Sequence, residues 1–236
     1  MDLKLVKQYS FFEMTPELVN KCGEFSCKDD KDIESFFRNK YDCHSTQNVS
    51  RSYCFVDEEE RELVCAFTVT NSALNRDRLT NKIRNKIQRK ISHKVQRKEY
   101  PAILIGQLVV FDKYRHEKLG DDLMIFIKSL FLKSERLVSY KIDPLDFHNS
   151  SCRFLLVDAT NNDKVIRYYK RHKFDFLFEN QDEEISHLNA DINPSILKRL
   201  FYWFFPSKNP VLQYKETRYM FFDMIVLKNK ENLYEM

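Results

Sequence analysis

The stretch Ile103 to Met124, ILIGQLVVFDKYRHEKLGDDLM, constrains this chain more than any other. Ile103, Leu104, Ile105, Leu108, Val109, Val110 and Phe111 form an apolar, β-rich run that predicts a buried strand. Leu123, Met124, Ile127, Leu130 and Phe131 recur at helical spacing and predict a helix beginning near Gly120. Between the two lies Arg115-His116-Glu117-Lys118-Leu119-Gly120. A short loop from a strand into a helix aims its backbone N–H groups and the helix N-terminus at one spot, which suits a phosphate or pyrophosphate. The chain has three glycines, and one stands where this loop enters its helix.

A chain of 236 residues, 43% of them hydrophobic, is sized for one large domain with its own core. Twenty Phe and twelve Tyr predict that the core is aromatic. A net charge of +4 is too small to name a partner, so the distribution of charge carries the argument instead. The six cysteines form no C-x-x-C pair and no zinc-ribbon spacing with histidine, which predicts free thiols in a reducing compartment and no bound metal. MDLKLVKQYS lacks the apolar stretch of a signal peptide. No apolar run approaches the roughly 20 residues that cross a bilayer. The expectation is a cytoplasmic protein with no membrane segment.

Strands are predicted over 2–9, 153–157, 174–178 and 218–227, and a hairpin over 51–57 and 63–70 around the acidic turn Asp57 to Glu62. Helices are predicted over 29–40, capped by Asp29 or Asp30, and over 162–172. This order predicts a mixed α/β sheet with helices on its faces, within a single domain spanning 1–236.

Two insertions interrupt the pattern. From Asn75 to Glu99, ten lysines and arginines stand against Asp77 and Glu99, while Leu79, Ile83, Ile87, Ile91 and Val95 recur every four residues. This predicts one amphipathic helix with a cationic remainder. It is either a surface for RNA phosphates or an acidic partner, or a solvated face on a helix packed by its isoleucine stripe. The second insertion, Glu179 to Tyr214, opens acidic and ends in ILKRLFYWFFP, where Pro194 is placed to start a helix. Its aromatic run predicts a small apolar cluster or lid, or an interaction surface.

Several segments together resemble the GNAT superfamily of N-acetyltransferases. Arg115 to Gly120 fits the acyl-CoA signature Gln/Arg-x-x-Gly-x-Gly/Ala. Asn162 to Phe174 is similar to Asn-x-x-Ala-x-x-Phe/Leu-Tyr-x-x-x-Gly-Phe, with the spacing of Asn162, Tyr169 and Phe174 kept. A narrower resemblance is to the branch containing tRNA-acetylating toxins. It rests on Cys22-Gly23 followed by an amphipathic helix, on the hairpin SRSYCFVDEEERELVCAFTVT, on Tyr100 to Val110 against Y-P-x-x-L-L-G-R-L-A-V, and on the closing RYMFFDMIVL. Three positions depart from the pattern: Lys118 and Lys173 replace glycines, and Gln107 replaces arginine. A Cβ at Lys118 crowds the phosphate or demands a positive φ at about 1–2 kcal/mol, although its ammonium could itself meet the pyrophosphate.

The resemblance implies a central mixed, mostly antiparallel sheet flanked by helices, and transfer of acetyl from acetyl-CoA to a primary amine. It implies that backbone groups of Leu108, Val109 and Val110, at a bulge in the central strand, bind pantetheine and the carbonyl oxygen. It implies CoA contacts from Arg115, His116, Glu117, Lys118, Leu119, Gly120 and Asn162, and a proton from the Tyr169 hydroxyl to the leaving thiolate. Asn162 also suits a helix cap. Tyr168 is expected in the core, and Asp121 and Asp122 are expected to point away from the loop. No general base stands out, since Glu117 and Asp158 both suit structural roles. The implied partners are an amine acceptor, with aminoacyl-tRNA reached through the basic helix 75–99, a small ribbon–helix–helix antitoxin, and a second copy in a homodimer. The alternative is a non-catalytic GNAT-fold binding module with a degenerate CoA site, which binds nucleic acid or a protein partner.

Overall fold

The computed structural model describes residues 3–89, 96–131, 152–189 and 216–225. It is mixed α/β, with seven strands that pair mostly antiparallel, flanked by helices. The described residues divide into two compact units, one within 1–72, 101–155 and 224–236 and the other within 73–100 and 156–223.

In the first unit, helix α1 (Lys4–Gln8) leads into strand β1 (Ser10–Glu13) and helix α2 (Pro16–Lys21). Pro16 suits the first helical position, and the Thr15 hydroxyl accepts from the Leu18 N–H at 3.2 Å. Helix α3 (Lys31–Asn39) is capped as predicted, with Asp30 accepting from the Ile33 N–H at 3.0 Å. Helix α4 (Tyr41–Thr46) then leads to β2 (Arg51–Asp57) and β3 (Glu62–Asn75), the predicted hairpin. Strand β4 (Glu99–Val110) lies beside β3, giving the order β1-β2-β3-β4. Helix α6 (Leu119–Phe131) buries Leu123, Met124, Ile127, Leu130 and Phe131.

The hairpin is buried on both faces, which is why it reads as a continuous apolar run rather than an alternating one. On one face Cys54, Val56, Leu63 and Ala66 pack with Phe25, Phe36, Phe37, Tyr41 and Phe111. On the other, Phe11, Tyr53, Phe55 and Phe67 stack in one aromatic layer, closed by Phe126 of α6 at 4.8 Å from both Phe11 and Phe55. This layer corrects the predicted first strand. Residues 4–8 are helical, held by Asp122 accepting from the Leu5 N–H at 3.2 Å, and the strand begins only at Ser10, where Phe11 joins the layer.

The second unit holds helix α5 (Asn81–Gln88), strand β5 (Phe154–Thr160) from Leu156 on, helix α7 (Asp163–Arg171), strand β6 (Asp175–Phe176), helix α8 (Gln181–Asn189) and strand β7 (Thr217–Asp223), with strand order β5-β7-β6. The single helix expected over 75–99 is shorter. Asn75 ends β3, a 3-10 turn covers Arg76–Arg78, α5 is capped by Thr80, and Glu99 opens β4. Its stripe is seen in buried Ile83 and Ile87, while 90–95 lie outside the described residues. The strand expected over 174–178 pairs only at Asp175 and Phe176. The aromatic run 196–206, the helix expected after Pro194, and residues 226–227 of the closing strand also lie outside the described residues.

The acidic opening of the second insertion turns out to brace this unit. Glu184 of α8 is 2% exposed. It accepts from Arg218 Nε at 2.8 Å and from the Tyr219 N–H at 2.6 Å, which fastens α8 to β7. The Arg218 guanidinium also lies 4.2 Å from the Phe176 ring centroid. Among the described residues no helix is long and apolar enough to cross a membrane. All six cysteines are free thiols. Removing one partner of a buried pair strands the other charge. Glu184→Ala is therefore expected to destabilise by about 3–5 kcal/mol in urea unfolding. Glu184→Gln should cost less, because its amide oxygen still accepts from Tyr219.

Candidate active site

The nine cofactor residues expected between Leu108 and Gly120 fall in one strand–turn–helix of the first unit. Val109 is buried and Leu108 and Val110 are half-buried at the end of β4. A 3-10 turn, Asp112–Glu117, follows, and Lys118 then adopts φ 59°, ψ 22° before α6 begins at Leu119. The lysine at the signature glycine position therefore takes the left-handed backbone that glycine favours. Its side chain and that of His116 are exposed. At the start of α6 the Asp121 N–H reaches the Lys118 carbonyl at 3.4 Å, and the N-terminal end of a helix is the end that suits an anion.

The other polar side chains of the turn hold it in place. Arg115 Nε donates to the Val110 carbonyl at 3.2 Å, Nη2 lies 3.0 Å from Cys27 Sγ, and Nη1 pairs with Asp29. Asp112 accepts from Ser26 Oγ at 2.8 Å and the Lys28 N–H at 3.0 Å, and these bonds hold its carboxyl below the usual range. The Tyr114 hydroxyl lies 3.2 Å from both Asp57 and Glu62, and burial with these charges pushes its ionisation far up. Glu117 takes Lys4 Nζ at 2.6 Å and the Tyr9 hydroxyl at 3.2 Å, which lowers its own pKa. Asp122 accepts from the Leu5 N–H of α1.

Within β4, Gly106 answers a local crowding. A Cβ there would stand 2.7 Å from Thr68 Oγ1. That hydroxyl accepts from the Gln107 N–H at 2.8 Å, so it is fixed in place.

The remaining candidates belong to the second unit. Asn162 caps α7, accepting from the Val165 N–H at 2.9 Å. At the other end the Lys173 N–H donates to the Lys170 carbonyl at 2.9 Å and the Phe174 N–H to the Tyr169 carbonyl at 3.0 Å. Lys173 has φ 64°. These are the two bonds and the left-handed residue of a Schellman cap. Its apolar contact is also present, with the Tyr169 and Phe174 rings 5.4 Å apart. The spacing from Asn162 to Tyr169 to Phe174 thus measures one capped helix.

Tyr169 is the buried tyrosine of the pair, and Tyr168 is half-buried, the reverse of the expectation. Burial, and then the charge of Asp158, push the Tyr169 phenol up to about 12. Asp158 is itself raised by desolvation, against a hydrogen bond from Thr217. At neutral pH Tyr169 carries its proton, as an acid must. Sequence reasoning missed Tyr9, Asp57, Glu62 and Tyr114 as supports of the turn. Each acts across more than 50 residues, and no local pattern marks it.

No family model matches the sequence, and no curated protein does. Solved structures do match. A tyrosine-to-phenylalanine variant of KacT superposes with a TM-score of 0.59 at 14% identity, covering 94% of this chain and 98% of its own. AtaT complexed with acetyl-methionyl-tRNAfMet gives 0.53 at 18%, covering 73% and 90%. An AtaT toxin variant bound to the C-terminus of the antitoxin AtaR and acetyl-CoA gives 0.53 at 11%, covering 94% and 97%. The chain has the GNAT fold.

A phenol that ionises near 12 in the fold and near 10 when unfolded binds its proton more tightly in the native state. Its contribution is complete below pH 10 and fades as pH climbs toward 12. Stability of the native protein is expected to fall over that window, with Tyr169 contributing on the order of 2–3 kcal/mol. Tyr169→Phe should flatten the fall in a denaturation series. Lys118→Gly and Lys173→Gly relieve left-handed backbone, and each is expected to raise stability by about 1 kcal/mol in the same measurement.

Proposed function

We propose that this protein is an acetyl-CoA-dependent N-acetyltransferase whose acceptor is the amino group of an aminoacyl-tRNA. The observation that carries the reading is Lys118. A non-glycine residue held left-handed costs energy and persists only where its surroundings dictate it. Here it sits where the acyl-CoA signature requires a glycine, and it turns the chain into the N-terminus of α6. The fold shared with KacT and AtaT supports the acyltransferase class. Neighbours solved with acetyl-CoA and with an acetylated aminoacyl-tRNA support the choice of donor and acceptor.

In this reading the amides at the start of α6 bind the diphosphate, and the end of β4, Leu108 to Val110, lies along pantetheine. Arg115 and Glu117 act by fixing the turn, while Lys118 and His116 offer exposed side chains to the phosphates. When bound, acetyl-CoA supplies the acetyl group as an activated thioester. Tyr169 holds its proton at the hydroxyl and delivers it to the departing sulfur. Its raised pKa keeps that proton available through the physiological range. Asn162 and the Schellman cap fix the helix that carries Tyr169. The same reading places the protein in the cytoplasm, with a small antitoxin and a second copy as partners.

The test pairs calorimetry with turnover. The protein should bind acetyl-CoA and transfer label from it to charged tRNA in a panel of amine acceptors. Tyr169→Phe should keep the binding and lose about 10²–10⁴ in kcat. Absence of acetyl-CoA binding would establish the non-catalytic module instead.

A further inference from the structure

Acetyl transfer to an amine needs two proton movements, and Tyr169 answers for one of them. The sulfur gains a proton as it leaves, and the attacking nitrogen must first lose one. An α-amino group titrates at about 7.7–8.0, so near neutral pH most of an acceptor is ammonium, with no lone pair to attack with. Glu117 does not suit that task, because Lys4 Nζ and then the Tyr9 hydroxyl engage it and lower its pKa.

The second unit holds a carboxylate in a different situation. Asp158 is the first exposed residue of β5, set between Val157 at 1% and Ala159 at 2% exposure. The Asn161 N–H donates to the Glu216 carbonyl at 2.7 Å, which fastens the end of β5 to the start of β7. Thr217, the first residue of β7, gives its hydroxyl proton to Asp158. Two groups on other elements feel the Asp158 charge. Tyr169 on α7 is raised first by burial and then by that charge, and Glu184 on α8, raised first by its own burial, feels it too. Glu184 already accepts from Arg218 and the Tyr219 N–H. What acts on Asp158 is partial desolvation, which raises its pKa, against the neutral Thr217 hydroxyl, which lowers it. An arriving cation relieves a desolvated negative charge of this kind, and a carboxylate raised toward neutrality accepts a proton more readily than an ordinary one. A buried phenol beside an open carboxylate also divides the acid and base roles between two groups of different environment.

We propose that Asp158 receives the ammonium of the acceptor and takes its proton, as the base to the acid of Tyr169. This rests on the acetyltransferase reading and adds to it the group that meets the amine. Its exposure leaves the carboxylate open to an amine arriving from solvent. One ammonium proton passes to the Asp158 carboxylate, which later releases it to water. The freed lone pair forms the C–N bond to the acetyl carbon as the C–S bond breaks. Tyr169 gives its proton to the sulfur and regains the second proton that the nitrogen sheds.

The experiment follows labelled acetyl from acetyl-CoA to charged tRNA, spermidine and a lysine peptide. In Asp158→Asn, whose amide oxygen still accepts from Thr217, turnover on whichever amine takes the label should fall about 10²–10³-fold. Acetyl-CoA affinity by calorimetry should stay that of the native protein, which shows that the variant is folded. Asp158→Ala should lose as much, and sodium formate should restore part of it while leaving Tyr169→Phe unchanged. Binding supplies a readout apart from turnover. By fluorescence anisotropy the native protein should hold aminoacyl-tRNA about tenfold more tightly than hydroxyacyl-tRNA, in which a hydroxyl replaces the amine, and Asp158→Asn should hold the two alike. Native turnover in Asp158→Asn, or a loss in Asp158→Ala that formate does not relieve, overturns the inference and leaves the acetyltransferase reading standing. Transfer to spermidine or the peptide but not to charged tRNA refutes the aminoacyl-tRNA acceptor, and the Asp158 variants are then decisive on that amine. No transfer to any of the three overturns both.

Discussion

The hydrogen bonds that pin Asp112–Glu117 are what the candidate site depends on. Four side chains of this 3-10 turn reach three separate parts of the first unit: the segment Ser26 to Asp29, the pair Asp57 and Glu62, and the pair Lys4 and Tyr9. Exposed ion pairs of this kind are individually weak. Their effect here is geometric. With Val110 and α6 both fixed by packing, the turn has little freedom, and Lys118 must accept a left-handed backbone to join them.

The second unit solves a related problem at Lys173. A Schellman cap needs one left-handed residue, ordinarily glycine, to return the chain over the helix end. The contact between Tyr169 and Phe174 closes that motif. The tyrosine proposed as proton donor is thus also the apolar clasp of its own helix, and its burial raises its pKa. Packing and chemistry act on the same ring.

Legibility followed the range of the interactions. The caps at Asp30 and Asn162, the hairpin, and the strand–turn–helix from Ile103 to Met124 rest on local spacing, and the sequence shows them. Residues 4–8 alternate like a strand but are helical, because Asp122 and the layer around Phe11 set the register from far away. The cationic run 75–99 read as one helix, since its charges extend beyond both ends of α5, over the 3-10 turn Arg76–Arg78 and up to the start of β4. Tyr168 and Tyr169 differ by one position on a helix, and Tyr169 is the one whose ring meets Phe174 beyond the helix end. Glu184 read only as part of an acidic opening because its partner Arg218 lies 34 residues on.

Support by distant residues separates the shape of a site from its local spelling. Lysine stands in both turns where the GNAT pattern has glycine, yet each takes the left-handed backbone that glycine favours. Such a chain is free to lose its landmarks while its props survive. The backbone path of each turn is thereby set by residues outside it: Asp57, Glu62 and Asp29 around Lys118, and Phe174 beside Lys173.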